Sequence, residues 1–78
     1  MKIEVYGSGC HKCVELEKRA KEAVAVAGVT ASVEHIYDIA KILEKGIIYT
    51  PALVIDDMIV ASGKTPSVEE ISSLLRKQ

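Results

Sequence analysis

Two cysteines set the chemistry open to this chain. Cys10 and Cys13 are its only cysteines, three positions apart, and a Cys-x-x-Cys pair serves either thiol–disulfide exchange or the binding of a soft metal. A structural staple is the poorer reading, because a disulfide between them closes a tiny loop and constrains the unfolded chain little. Exchange needs a thiolate that reaches an external disulfide and a second thiol that resolves the mixed disulfide. Cys10 meets the first need at the mouth of a helix. Unpaired amides and the helix dipole favour an anion there, and Lys12, with His11 when protonated, adds positive charge. Such settings lower a cysteine pKa from about 8.5 into the range of roughly 3.5–7.5. Cys13, one turn inward on the side of Leu16 and Ala20, suits a shielded resolving thiol. The expectation is that Cys10 attacks and Cys13 resolves. His11 tunes the thiolate or is a plain exposed histidine.

The elements that must hold this pair follow from periodicity. Lys2 to Tyr6 alternates polar and apolar, with β-branched Ile3 and Val5, and reads as a strand broken by Gly7-Ser8-Gly9. From Cys10 to about Ala27 the spacing turns helical, with Cys13, Leu16, Ala20, Val24 and Ala27 on one stripe and Gly28 as the stop. Ala31 to Ile36 is a second strand whose mixed pattern suits an edge position, with His35 as a surface residue. Asp38 caps a short helix with Ile39, Ile42 and Leu43 on one face and Gly46 past its end. Ile47 to Thr50 connects to two short strands, Ala52 to Ile55 and Met58 to Ala61, split by Asp56-Asp57 in a tight hairpin. Ser67 and Glu70 form a capping box for the last helix, with Pro66 before it and Val68, Ile71, Leu74 and Leu75 as its stripe. The order is β-α-β-α-β-β-α in one domain over residues 1–78. The helix-joined first strands should be parallel and the last two antiparallel. A mixed four-stranded sheet flanked by three helices follows.

Composition narrows the function further. The 78 residues are 49% hydrophobic, which excludes disorder, and no apolar run is long enough to span a bilayer. Ten cationic and eleven anionic side chains nearly cancel, so neither nucleic acid nor an anionic membrane is an expected partner. With no Phe and no Trp, the core must be built from Val, Ile, Leu and Ala. Glu4 stands where a signal peptide needs apolar residues, and the expected compartment is the cytoplasm.

The element order, with Gly7-Ser8-Gly9-Cys10-His11-Lys12-Cys13 between first strand and first helix, resembles the thioredoxin and glutaredoxin fold. It is most similar to the minimal thioredoxin-like redox-active disulfide proteins of bacteria and archaea. The resemblance covers essentially the whole chain and rests also on Tyr49-Thr50-Pro51-Ala52-Leu53-Val54-Ile55 and on Ser62-Gly63 with Pro66-Ser67. From the residues alone, Pro51 is an ordinary trans proline opening a strand, where its missing N–H costs no ladder bond. The resemblance implies instead a cis Pro51 opposite the cysteines, with the Thr50 backbone pairing with an incoming peptide. It also implies a proton-transfer role for Glu4, six positions before Cys10; otherwise Glu4 is a polar strand position. Tyr6 and Tyr49 line the site or pack beside it.

The sequence departs from the family pattern at three places. Gly9 replaces the Trp that precedes the first cysteine in typical thioredoxins, and His11-Lys12 replaces Gly-Pro. Ser62-Gly63-Lys64-Thr65 stands where glutathione-binding glutaredoxins carry Gly-Gly-x-Asp. The implied function is a cytoplasmic, monomeric thiol–disulfide oxidoreductase without cofactor or resident metal. Its implied partners are disulfide-containing proteins and a thioredoxin-reductase-type electron donor. The alternative is a Cu(I) or Zn(II) carrier binding through Cys10 and Cys13, with His11 as a third ligand. Small metallochaperones share the motif's placement but end in a strand, β-α-β-β-α-β, and carry a methionine where this chain has Ser8. An iron–sulfur cluster bridged between two copies is a third option and needs external thiols.

Overall fold

Alternation and caps turn into seven elements in the computed structural model, which describes residues 1–7, 9 and 11–76. They are β1 (Lys2–Tyr6), α1 (His11–Ala27), β2 (Ser32–Ile36), α2 (Ile39–Glu44), β3 (Ala52–Ile55), β4 (Met58–Ser62) and α3 (Val68–Arg76). The strands form one mixed sheet in the order β2-β1-β3-β4. β1 pairs with β2 in parallel, and β3 runs antiparallel to both β1 and β4. The observed order β-α-β-α-β-β-α, with three helices on a four-stranded sheet, is that of a minimal thioredoxin fold.

The sheet divides the interior in two. Ile3, Val5, Leu53 and Ile55 pack with Leu16, Ala20 and Ala23 of α1 and with Ile71 and Leu75 of α3. Tyr6, Ala52 and Val54 pack on the other face with Ile42 of α2 and Ile47. Because successive residues of a strand face opposite ways, Glu4 belongs with Tyr6 on the α2 side. β2 is an edge strand, which accounts for its mixed pattern.

The structure corrects the sequence pattern in detail. On α1, Ala23 is the fully buried residue where the stripe put Val24, which is only partly covered. Of the three α2 residues assigned to one buried face, Ile42 alone is covered, and Ile39 and Leu43 are exposed. A helix of six residues meets the sheet with a single turn. The Asp56-Asp57 hairpin places both residues at positive φ, 47° and 68°. A two-residue type I′ loop demands this, and short polar side chains tolerate it better than most. Asp56 also binds back to the start of β1: the Lys2 amide donates to its Oδ1 at 2.8 Å, and its own amide donates to the Lys2 carbonyl at 2.8 Å.

The expected caps form. Asp38 Oδ1 accepts from the Ala40 amide at 2.9 Å. In the capping box, the Glu70 amide donates to Ser67 Oγ at 3.1 Å while Glu70 Oε1 accepts from the Ser67 amide at 3.5 Å. The entrance to α3 is tied to α1 by Arg19, whose Nη1 donates to the Thr65 carbonyl at 2.8 Å and the Pro66 carbonyl at 3.5 Å. Arg19→Met keeps the aliphatic stem and removes a partly buried charged donor, a loss of about 1–2 kcal/mol. For a domain of this size each kcal/mol lowers the thermal midpoint by roughly 4–8 °C. An unchanged midpoint by calorimetry means that this tie holds nothing.

Candidate active site

β1 ends in a glycine for a reason of space. Gly7 is buried, its amide donates to the Ile36 carbonyl at 3.0 Å, and it continues the β1–β2 ladder by one residue. A Cβ added there overlaps Cys13 Sγ and lies 3.2 Å from Cys13 Cβ and 3.8 Å from Pro51 Cα. Cys13, in the first turn of α1, therefore rests directly on the Gly7 backbone beside the proline that opens β3. It is fully buried. Gly7 and Cys13, six residues apart, thus meet the chain at Pro51 at the end of β1, and Cys13 is shielded there.

The segment before β3 is held from the far side. The Thr50–Pro51 peptide bond is cis, Pro51 is buried and Thr50 is exposed. The Pro51 carbonyl accepts from the Gly63 amide at 2.9 Å, and the Ser62 hydroxyl donates to the Tyr49 carbonyl at 3.1 Å. Gly63 sits at φ +70°, and a Cβ on it meets Tyr49 Cβ at 2.9 Å, so Tyr49 stacks its stem over this glycine with its ring largely exposed. Tyr49 is thus beside the site, whereas Tyr6 is a core residue of the α2 face.

Of the remaining residues singled out by sequence, His11 and Lys12 are both exposed on the first turn of α1. Cys10 and Ser8 lie outside the described residues. Glu4 is buried, 5% exposed, with Lys2 Nζ 3.6 Å from its Oε2. Burial first, then the neighbouring Glu4 carboxylate, raises the Tyr6 hydroxyl above its ordinary pKa.

Sequence reasoning missed a second group. His35, expected at the surface, has a side chain only 4% exposed, with Nδ1 2.6 Å from Glu17 Oε1. Glu17 also takes Lys21 Nζ at 3.0 Å, and the hydrogen bonds from Lys21 and then His35 hold its carboxyl below the usual range. His35 stacks on Tyr37, and Tyr37 packs against Gly9. No periodicity links positions 17, 35 and 37. The one sign in the sequence is the glycine at position 9, whose missing side chain leaves room that a ring can fill.

A cysteine buried in the first turn of α1, against the end of β1 and near the proline before β3, is compatible with thiol–disulfide chemistry at this helix entrance. The chain belongs to the thioredoxin domain family, whose model matches residues 1–76. It is 43% identical over 75 residues to a thioredoxin of Methanothermobacter thermautotrophicus, spanning 96% of this chain and 97% of that one. It is 39% identical over 74 residues to a thioredoxin of Methanocaldococcus jannaschii, spanning 95% and 85%. No helix among the described residues is long and apolar enough to cross a membrane.

Proposed function

We propose that this protein acts in the cytoplasm as a one-domain, monomeric dithiol carrier that reduces disulfides of partner proteins through Cys10 and Cys13. The Cys10 thiolate attacks one sulfur of the substrate disulfide, the S–S bond breaks, and one substrate thiolate leaves. The Cys13 thiolate then attacks the Cys10 sulfur of the mixed disulfide and releases the second substrate thiolate. The carrier is left with a Cys10–Cys13 disulfide, and two electrons have passed to the substrate. A reductase of the kind that serves thioredoxins returns two electrons and two protons.

The observation that carries this reading is the burial of Cys13 on Gly7 beside Pro51. A thiol so enclosed is out of reach of an external disulfide, which suits a resolving thiol and not an attacking one. In this reading the exposed Thr50 backbone pairs with the incoming chain. Lys12, with His11 when protonated, adds positive charge at the helix entrance, where a thiolate is favoured. Glu4, buried on the central strand, takes part in proton transfer from the resolving thiol. Cytoplasmic placement rests on cysteine usage, one closely spaced pair and no scattered staples.

Reduction of insulin disulfides with dithiothreitol as electron source tests the proposal. The wild-type protein is expected to accelerate insulin precipitation well above the dithiothreitol background. Equal rates with and without the protein contradict it.

A further inference from the structure

A connected series of side chains runs from the middle of α1 to the residue that precedes Cys10 in the sequence. It starts at Lys21, whose Nζ holds Glu17 Oε2 at 3.0 Å, and passes from Glu17 Oε1 to His35 Nδ1 at 2.6 Å. A carboxylate only accepts, so Nδ1 carries the proton and donates. The imidazole then stacks on Tyr37, ring centroids 4.0 Å apart and planes within 10° of parallel. The edge of Tyr37 closes the series: Cε1 lies 2.9 Å and Cδ1 3.3 Å from the place a Cβ on Gly9 would take. The ring is in contact with the Gly9 backbone itself.

Two features show that the series does more than fill space. His35 Nε2 is buried with no hydrogen-bond partner among the described residues. A buried polar atom left without a partner is destabilising, and an apolar side chain at position 35 avoids that cost. Tyr37, in turn, is more than half exposed, so it gives the core little, and its two ring contacts are what the structure obtains from it. Gly9 at φ +87° is the residue with the widest backbone freedom and no side chain to anchor it. A ring laid on it supplies the anchor.

Resting on the dithiol reading above, we propose that Tyr37 is a positioning residue for the cysteine pair. Its ring fixes the backbone entering Cys10, and the Glu17–His35 pair holds the ring in place. A helix N-terminus stabilises a thiolate through amides aimed at it, and that stabilisation falls when the segment carrying the sulfur samples other directions. The ring, and not its hydroxyl, makes both contacts.

The test is the pH profile of Cys10 alkylation by iodoacetamide in the reduced protein, with the modified residue assigned by mass spectrometry. Tyr37→Ala is expected to shift the profile to higher pH and to slow alkylation near pH 6 by roughly three- to tenfold, the effect of about half to one unit in the thiol pKa. Tyr37→Phe is expected to follow the wild-type profile. His35→Leu, which removes the stack and the bond to Glu17, shifts it in the same direction as Tyr37→Ala. A Tyr37→Ala profile that superimposes on wild type in a protein with native circular dichroism overturns the inference. If that variant fails to fold, Tyr37→Leu decides by the same criterion. Insulin reduction by the wild-type protein separates the two failures: its absence sinks the dithiol reading, whereas its presence with superimposable profiles sinks the positioning role alone.

Discussion

Cys10→Ser is expected to abolish insulin reduction, a loss of roughly a thousandfold or more, because no other thiol of this chain takes its place. The only other cysteine is fully buried against Gly7, and an external disulfide reaches a thiol in line or not at all. Cys13→Ser is expected to behave differently. It retains the first attack and loses resolution, so it accumulates as a covalent adduct with its substrate. Mass spectrometry of each variant after exposure to an excess of oxidised substrate separates the cases: a stable adduct with Cys13→Ser and none with Cys10→Ser. The opposite pattern reverses the two roles, and adducts with neither variant remove exchange chemistry from this pair.

Gly7→Ala is the second large effect, and it depends on geometry rather than on a reactive group. Its methyl overlaps Cys13 Sγ and lies 3.8 Å from Pro51 Cα, so the sulfur must move to make room. Overpacking of this kind costs about 1–3 kcal/mol. At roughly 4–8 °C per kcal/mol the thermal midpoint falls clearly. Function falls further than stability, because a displaced Cys13 resolves the mixed disulfide slowly. Single-turnover kinetics is expected to show the first attack near the wild-type rate and resolution slowed by about tenfold or more, the loss expected of a small misplacement of reacting atoms. Resolution at the wild-type rate shows that contact with the Gly7 backbone does not set the position of Cys13.

The fold was legible because its signals are local. The capping box of Ser67 and Glu70 and the Asp38 cap report on the few residues around them and form as the spacing implies, and Lys2–Tyr6 is a strand, though one buried on both faces after Lys2 rather than on alternate residues. Ile39 and Leu43 show the limit of such signals. Periodicity says that they share a side of α2 but not that any element covers it, and both are exposed. The site divides in the same way. The cysteine spacing and the Thr50-Pro51 step stand out along the chain, whereas the fit of Cys13 to Gly7 exists only once α1 folds back on β1. His35 was misplaced for the same reason: its partner Glu17 comes from α1, eighteen positions away. A strand pattern read along β2 carries no trace of a carboxylate arriving from another layer.

The central claim is that Cys10 and Cys13 form one redox couple, and equilibrium titration of the metal-free protein against dithiothreitol measures it directly. Alkylation and mass spectrometry at each buffer poise count the remaining thiols. The account predicts a single two-electron transition in which both cysteines are lost together, with peptide mapping showing a Cys10–Cys13 disulfide on the oxidised side. Two cysteines that stay reduced across the whole range, in a protein that instead retains one equivalent of Cu(I), contradict it.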